Sequence, residues 1–295
     1  MSGTDLGSLV RAAGRVLAEA GVPSPDHDAR ALAAHVLGVS HIHTLSIVPP
    51  SFTARYADLV ERRRCREPLQ HIVGTTAFRH LRLQVARGVF VPRPETELVA
   101  QVAIDEARRL IDHGGSPVVV DLCCGAGGIA ISVAAEVPGT RVTAVDVSAD
   151  AVALTVANAT ACGVTLRTDV VDATSEGALT DLTGLVDVVA ANPPYIPPDA
   201  VPLEPEVRDH DPDLALDGGG PDGLDVPRGV VASAARLLRD GGLLVMEHGE
   251  SQGEALRAVV SDRGFAEART LPDLTGRPRM VVARRRVGSP QPGPA

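Results

Sequence analysis

Aromatic side chains and long apolar runs are scarce in this 295-residue sequence. Aromatic residues make up 2% of the chain, with no Trp and only two Tyr, Tyr56 and Tyr195. Proteins that hold single-stranded nucleic acid stack its bases on aromatic side chains, and little such material is present here. No run approaches the roughly 18 apolar residues of a membrane-spanning helix. The N-terminus also lacks the basic and apolar segments of a signal peptide, so the sequence predicts a cytoplasmic protein with no membrane partner.

Basic charge is deficient as well, since the formal net charge is -9. A broad face for a polyanion needs the opposite balance, so we expect no direct nucleic-acid substrate. The paired C-x-x-C spacing of a metal site is missing from the four cysteines, Cys65, Cys123, Cys124 and Cys162. We therefore expect no metal, and reduced cysteines of the kind found in cytosolic proteins.

The hydrophobic content of 44% allows a large core, and the apolar pattern changes along the chain. Apolar residues recur at helical spacing over residues 6–37, and a third helix is predicted over 53–64. Alternation then predicts short strands that suit a hairpin, at Gln70–Gly74, Thr76–Phe78, Leu81–Val85 and Val89–Val91. From Pro117 onward, strands and helices alternate, which predicts a parallel sheet with helices on both faces.

These patterns divide the chain into four predicted segments. They are a helical domain over residues 1–67, a β-hairpin linker over 68–94, an α/β domain over 95–287 and a disordered tail over 288–295. The tail lacks side chains that form a core. The pattern leaves open whether the helical domain only caps the α/β domain or docks a substrate.

Acidic side chains follow three successive strands of the predicted sheet. Asp121 opens a glycine-rich turn, whose glycines let a ligand approach the backbone at the start of a helix. Asp146 ends the next strand, where a carboxylate can accept both hydroxyls of a ribose. Asp172 follows the third strand, where it either accepts from an adenine amino group or caps the next turn. The predicted cofactor-binding residues are Asp121, Cys123, Cys124, Gly125, Ala126, Gly127, Asp146, Val147, Asp172, Ala173 and Asn192.

A proline-rich turn, Asn192-Pro193-Pro194-Tyr195, follows the fourth predicted strand. Proline cannot donate to a sheet ladder, so the strand must end in a stiff turn, and ligands bind at such strand ends. The Asn192 side-chain oxygen and the Pro193 carbonyl can accept the N–H groups of a planar nitrogen, against which Tyr195 packs. Glycine turn, ribose acid, adenine acid and proline turn, in that order, resemble a class I S-adenosylmethionine methyltransferase rather than an NAD dehydrogenase.

Further motifs make the resemblance narrower. They are Glu67-Pro68 with Gln70-His71, the run Pro92-Arg93-Pro94-Glu95-Thr96-Glu97, the segment from Pro212 to Asp225, and Glu247-His248-Gly249 with Gln252-Gly253. With the proline-rich turn, they make the chain resemble the release-factor glutamine N5-methyltransferases of the PrmC/HemK type over about residues 6–286.

The resemblance implies a fold, a reaction and a set of roles. The fold is α/β, a Rossmann-like domain with a mostly parallel seven-stranded sheet, a small N-terminal helical domain and a β-hairpin linker. The reaction transfers a methyl group from S-adenosyl-L-methionine to the glutamine side-chain nitrogen in the Gly-Gly-Gln motif of class 1 peptide chain release factors. The implied catalytic residues are Asn192, Pro193 and Tyr195. The implied substrate-binding residues are these three together with Pro194, Arg93 and Glu97.

Three residues depart from the family pattern. Cys123 replaces the first glycine of the cofactor loop, Ala173 replaces a larger residue beside the adenine, and Asp211 replaces a glutamate. They motivate an alternative, a paralogue that N-methylates an amide or amine of another protein or of a small molecule. A nucleic-acid base methyltransferase is disfavoured by the acidic charge balance, and a cofactor-binding adaptor with a dead site by the intact Asn192 and Tyr195.

Overall fold

A computed structural model describes residues 5–42, 48, 51–200 and 204–288, which fall into two compact units. The first unit contains the described part of residues 1–75 and of residues 202–210, and the second contains the rest. The domain limits drawn from the sequence place the first boundary at residue 67 instead, and they stay predictions. Residues 289–295 of the predicted tail lie outside the described residues.

The first unit begins with three helices close to those predicted from the sequence. They are α1 (Leu6–Glu19), α2 (Pro25–Leu37) and α3 (Phe52–Arg64), followed by a short α4 (Leu69–Val73). The Asp5 carboxylate caps α1 by accepting two backbone N–H groups, and Pro25 starts α2 with a preset φ angle. Their apolar faces meet in a core that includes the fully buried Leu17 and Leu32.

A helix from much later in the chain completes the first unit. This helix, α8 (Pro205–His210), was not predicted from the sequence. Its Glu206 pairs with Arg63 at 2.8 Å and with Arg66 at 2.6 Å, and Arg63 also donates to Asp28. Burial opposes the ionisation of Glu206, but hydrogen bonds from Arg66 and Arg63 outweigh it and lower its pKa to about 2. Two ion pairs therefore hold α8 in place.

Two of the predicted short strands are wrong. Residues 69–73 form α4, because Pro68 starts a helical turn and Gly74 ends it in the left-handed conformation at φ +76°. Val89 and Val91 are buried but lie in no strand, and Val89 packs with Ala126 and Ala151 next to the left-handed backbone of Gly88 at φ +80°. The hairpin itself is present as β1 (Thr75–Phe78) and β2 (Leu81–Gln84).

A seven-stranded sheet forms the centre of the second unit, in the order β5-β4-β3-β6-β7-β9-β8. The strands are β3 (Val118–Leu122), β4 (Arg141–Asp146), β5 (Arg167–Val170), β6 (Val186–Ala191), β7 (Leu238–Glu247), β8 (Phe265–Pro272) and β9 (Pro278–Arg285). Neighbours among the first five pair in parallel, and β9 runs antiparallel to both of its neighbours. The predicted mostly parallel seven-stranded sheet is therefore confirmed.

Helices cover both faces of this sheet. The helices are α5 (Thr96–Asp112), α6 (Gly128–Glu136), α7 (Ala149–Ala161), α9 (Asp225–Leu237) and α10 (Gly253–Asp262). Alternate residues of β3 enter opposite cores: Val119 packs with α5, α6 and α7, whereas Val120 packs with α9 and α10. Burial on both faces explains why the parallel strands are continuous apolar runs.

Strand order brings the predicted site residues to one edge. The chain moves outward from β3 through β4 to β5 and then returns to place β6 on the other side of β3, which creates a topological switch point. Leu122 at the end of β3 is level with Val145 of β4 and Ala191 of β6. The residues that follow these strands therefore meet at the carboxyl edge, where open α/β sheets bind ligands.

Candidate active site

The buried carboxylate of Asp121 lies at the base of the glycine-rich turn. One oxygen, Oδ2, accepts the Ala130 N–H at 3.0 Å, near the start of α6. The other, Oδ1, has no hydrogen-bond partner in the described part of the chain. Burial, with the neighbouring Asp146 as a smaller cause, raises the pKa of Asp121 to about 8. A cation near Oδ1 would favour the charged form.

The glycine-rich turn itself uses left-handed backbone at three positions. Cys123 has φ +69°, which is strained for a residue with a Cβ, so the backbone at this position does tolerate a side chain. At Gly127 a Cβ would lie 2.7 Å from the Ile131 side chain, whereas at Gly125 it would meet nothing within 4 Å. Gly127 is needed for packing, and Gly125 borders open space.

Two further predicted residues of the turn face the protein. The Cys124 thiol lies 3.5 Å from the Thr155 hydroxyl, and the Ala126 carbonyl accepts from the Asn158 side chain at 2.9 Å. Burial, followed by nearby carboxylates, raises the pKa of the Cys123 and Cys124 thiols, so both stay neutral at pH 7. Cys124 and Ala126 hold the turn in shape.

Asp146 is joined directly to the glycine-rich turn. Its Oδ2 accepts the Gly125 N–H at 2.9 Å, and its Oδ1 accepts the Ser148 N–H at 2.9 Å. Burial raises the pKa of this carboxyl. The next residue, Val147, leaves half of its side chain exposed at the same edge.

Asp172 is exposed, two residues beyond the end of β5. Its Oδ1 accepts both the backbone N–H and the hydroxyl of Thr174, at 2.8 and 2.7 Å, so it does cap the next turn. Oδ2 accepts no hydrogen bond from the described residues. Ala173 is buried in the same core as Leu122, which leaves little space there for a larger side chain.

The Asn192 side chain is held by its nitrogen. Its Nδ2 donates to the Thr96 hydroxyl at 3.1 Å, and Thr96 in turn donates to Glu247 Oε2 at 2.7 Å. Asn192 follows β6 and Glu247 ends β7, and the pairing of Ala191 with Met246 makes them level across the two strands. Among the described residues, neither Asn192 Oδ1 nor the Pro193 carbonyl accepts a hydrogen bond.

Tyr195 is anchored to the same carboxylate. Its hydroxyl donates to Glu247 Oε1 at 3.2 Å, and a Cβ built on Gly249 would lie 3.6 Å from its ring. Burial, and then the Glu247 charge, raises the pKa of the Tyr195 hydroxyl, which therefore keeps its proton. The Tyr195 ring therefore lies beside Gly249, and its hydroxyl is held by Glu247.

Distant segments brace the backbone of the proline-rich turn. The Gln252 side chain donates to the Tyr195 carbonyl at 2.8 Å and to the Asp222 carbonyl at 2.9 Å. A Cβ on Gly218 would lie 2.7 Å from the Tyr195 Cα, and one on Gly223 would lie 2.4 Å from the Tyr195 carbonyl oxygen. The segment from Gly218 to Gly223 thus lies directly against the turn, which gives a physical role to a stretch identified only by resemblance.

Two residues predicted to bind substrate are engaged within the protein. Arg93 forms an ion pair with Asp211 and lies 5.0 Å over the Phe90 ring, so the departure at position 211 preserves a carboxylate partner. Glu97 accepts the Arg79 N–H at 2.9 Å and thereby supports the turn between β1 and β2. In the part of the chain that the structure describes, Glu97 makes no hydrogen bond to the Asn192–Tyr195 turn.

Sequence reasoning missed the roles of Thr96, Glu247 and Gln252. All three lie in segments that resemble the family, but only the fold shows that they are hydrogen-bonded around Asn192 and Tyr195. One available signal was the apolar run of β7, which ends in a glutamate. A charged residue that directly continues a buried strand needs polar partners.

No helix in the described ranges combines the length and apolar character needed to cross a bilayer.

A sequence model of the PrmC N-terminal domain matches residues 8–74, and one of the methyltransferase small domain matches residues 98–203. In solved structures, the T. thermophilus 16S rRNA N2 G1207 methyltransferase has a TM-score of 0.52 at 20% identity, covering 72% of this chain and 50% of its own. That likeness shows the fold alone.

Curated proteins match over nearly the whole chain. The release factor glutamine methyltransferase of Streptomyces coelicolor is 49% identical over 91% of this chain and 94% of its own length. The protein of the same name from Mycolicibacterium smegmatis is 44% identical over 96% of this chain and 98% of its own. Similarity of this extent confirms the resemblance read from the motifs: the chain is a methyltransferase and belongs to the release factor glutamine methyltransferase family.

Proposed function

We propose that this enzyme transfers a methyl group from S-adenosyl-L-methionine to the side-chain amide nitrogen of the Gly-Gly-Gln glutamine in class 1 peptide chain release factors. The observation that carries the proposal is the pair of free acceptors at the end of β6. Asn192 Oδ1 and the Pro193 carbonyl accept nothing from the described residues, yet both are held on a rigid turn. A primary amide offers two N–H donors to match them.

The residues around the glycine-rich turn fit the cofactor. S-adenosyl-L-methionine, when bound, supplies an electrophilic methyl group on a positively charged sulfur. The free oxygen of buried Asp121 suits the cationic methionine part, and the open space beside Gly125 admits a ligand close to the backbone. Asp146 would hold the ribose hydroxyls with its remaining lone pairs, and Asp172 Oδ2 the adenine amino group. Val147, Ala173 and Asn192 would line the same site.

The two acceptors would orient a nucleophile that is poor in solution. The nitrogen lone pair of an amide is delocalised into its carbonyl, and methyl transfer requires that pair to point at the carbon. When both N–H groups donate to these acceptors, the amide is held in one plane. Its nitrogen lone pair is then left free to point at the methyl group. As the nitrogen becomes positively charged, both hydrogen bonds strengthen, which stabilises the transition state more than the bound substrate.

Placement supplies much of the remaining acceleration. Holding two reactants in the productive geometry is worth about 7–11 kcal/mol in well-oriented systems. Tyr195, fixed through Glu247, would close one face of the amide plane, and Pro194 would keep the turn from adjusting. The excess proton would leave after transfer, so no general base is required beforehand.

The release factor is proposed as the partner because the curated relatives bear that name at 49% and 44% identity. The first unit, which contains the segment matched by the PrmC N-terminal domain, is proposed to dock this protein substrate. Arg93 and Glu97 keep their predicted roles in substrate binding as part of the proposal.

The test is the mass of a purified release factor after incubation with enzyme and S-adenosyl-L-methionine. The proposal predicts one added methyl group on the wild-type factor and none on a factor whose Gly-Gly-Gln glutamine is replaced by alanine. An unmodified wild-type factor, in a sample where the enzyme consumes cofactor on another acceptor, would support the divergent paralogue instead.

A further inference from the structure

We infer that Thr96 and Glu247 are positioning residues, which set the side-chain amide of Asn192 so that its oxygen faces the substrate. The inference deepens the proposed function and rests on it for the identity of that substrate. Two hydrogen bonds link Asn192 to Thr96 at 3.1 Å and Thr96 to Glu247 at 2.7 Å, and the Tyr195 hydroxyl lies 3.2 Å from the same carboxylate.

The direction of each hydrogen bond follows from the groups involved. An ionised carboxylate only accepts, and a threonine hydroxyl has a single proton. Because Thr96 gives that proton to Glu247, it has only lone pairs to offer Asn192. The amide nitrogen must then face Thr96, and the amide oxygen must face the other way.

Without this constraint, the two ends of the amide are nearly equivalent in shape. A reversed Asn192 would present an NH2 group to the NH2 group of a substrate amide, and two donors cannot bond to each other. The orientation therefore decides whether the turn binds the nucleophile or repels it.

Burial makes the constraint effective. Thr96 is 5% exposed and Glu247 3% exposed, so water cannot satisfy either group in place of the other. Burial, with the charge of Glu95 as a smaller cause, raises the pKa of Glu247, while the Thr96 hydroxyl, the charge of Arg279 and the Tyr195 hydroxyl act against this rise. One carboxylate thus orients both the amide of Asn192 and the ring of Tyr195.

The sequence offers a clean way to observe the amide. It contains only two asparagines, Asn158 and Asn192, so nitrogen-15 labelling of asparagine side chains gives two NH2 signals. Asn158 is an internal reference, because its nitrogen donates to the carbonyls of Gln84 and Ala126 at 3.1 and 2.9 Å.

The experiment compares four variants with the wild type, first by this NMR measurement on the enzyme alone. Thr96→Val removes the acceptor, and Glu247→Ala frees Thr96 to turn its proton toward Asn192 Oδ1. Both should shift the Asn192 signals and leave those of Asn158 in place. Thr96→Ser keeps the hydroxyl and should restore the wild-type signals. Thr143→Val removes a hydroxyl from an equally buried threonine on β4 and should change neither pair.

Methylation of a release factor provides the second measurement. Thr96→Val should lower kcat by about 10- to 100-fold while the cofactor dissociation constant stays within a few-fold, because a displaced acceptor acts on the chemical step. Thr96→Ser should restore kcat. Asn192 signals unmoved in both Thr96→Val and Glu247→Ala would overturn the inference, whatever the substrate. A wild-type enzyme that leaves the release factor unmodified would overturn the proposed function, and the amide signals would still decide the inference.

Discussion

Replacing Gly223 by alanine should distort the Asn192–Tyr195 turn and spare the cofactor loop. Gly223 has φ +70°, and a Cβ there would lie 2.4 Å from the Tyr195 carbonyl oxygen and 2.7 Å from the Pro197 nitrogen. Both atoms belong to the backbone, which cannot rotate away as a side chain can. The turn must therefore move if the alanine is to fit.

The size of this displacement sets the expected effect. An ordinary Cβ contact begins at 3.4 Å, so the alanine and the Tyr195 carbonyl must separate by about 1 Å. A shift of about 1 Å at a reacting group costs about 100-fold in rate. The left-handed backbone adds about 1–2 kcal/mol of instability for any residue with a Cβ. Gly163 is the matched control, with the same φ of +70° and nothing within 4 Å of an added Cβ.

The assay measures kcat on a release factor, the cofactor dissociation constant by calorimetry, and unfolding in urea. Gly223→Ala and Gly163→Ala should both lose stability, but only Gly223→Ala should lose about 100-fold in kcat, with cofactor affinity unchanged within a few-fold. Equal kcat values for the two folded variants would show that the position of the turn does not control the reaction.

Three further predictions follow from the carboxylates. Asp146→Ala should weaken cofactor binding by about 10- to 100-fold, since it removes the proposed ribose acceptor and the partner of Gly125; unchanged affinity in calorimetry would remove that role. Hydrogen bonds from Arg109 and then Arg284 lower the pKa of Glu106 from 4.5 to about 2, so its stabilisation is complete above pH 4.5 and is lost as the pH falls toward 2. Glu106→Gln should lower the free energy of unfolding in urea by about 1–2 kcal/mol at pH 7, a range reduced because Arg109 is half exposed, and by less at pH 4. A loss of stability that does not change with pH would contradict the pairing. Asp121 has its pKa raised to about 8, so its contribution to stability is lost as the pH rises from 3.8 to 8, and Asp121→Asn should gain stability relative to the cofactor-free wild type over that range.

Much of the second unit was predictable because its strands, and the turns that end them, are determined by residues close together in the sequence. Strands such as β3 and β6 are buried on both faces and appear in the sequence as continuous apolar runs, and the residues Asp121, Asp146 and Asn192 mark where such runs end. The short α4 was mistaken for a strand because five residues are too few to separate the two periodicities. The charged α8 lacks an apolar face and is held by the ion pairs of Glu206, which no local pattern reveals.

The support of the site could not be predicted in the same way. Thr96 lies 96 residues from Asn192 and 151 from Glu247, and their contact depends on the register of β6 and β7 and on where α5 begins. Likewise, Gln252 reaches the Tyr195 carbonyl from 57 residues away. The family resemblance identified the segments that contain these residues, but only the fold shows which contacts the residues make.

Asn192 is proposed to act on the nucleophile although it also lines the cofactor site, and a comparison of methyl transfer with cofactor affinity separates the two roles. Single-turnover methyl transfer to a release factor and cofactor affinity would be measured side by side for the wild type and Asn192→Ala. We expect transfer to fall by about 100- to 1,000-fold, because one preorganised hydrogen-bonding group is lost, while cofactor affinity changes by no more than a few-fold. If Asn192→Ala still transfers methyl groups at the wild-type rate, or if its loss of transfer is matched by an equal weakening of cofactor binding, Asn192 does not act on the nucleophile.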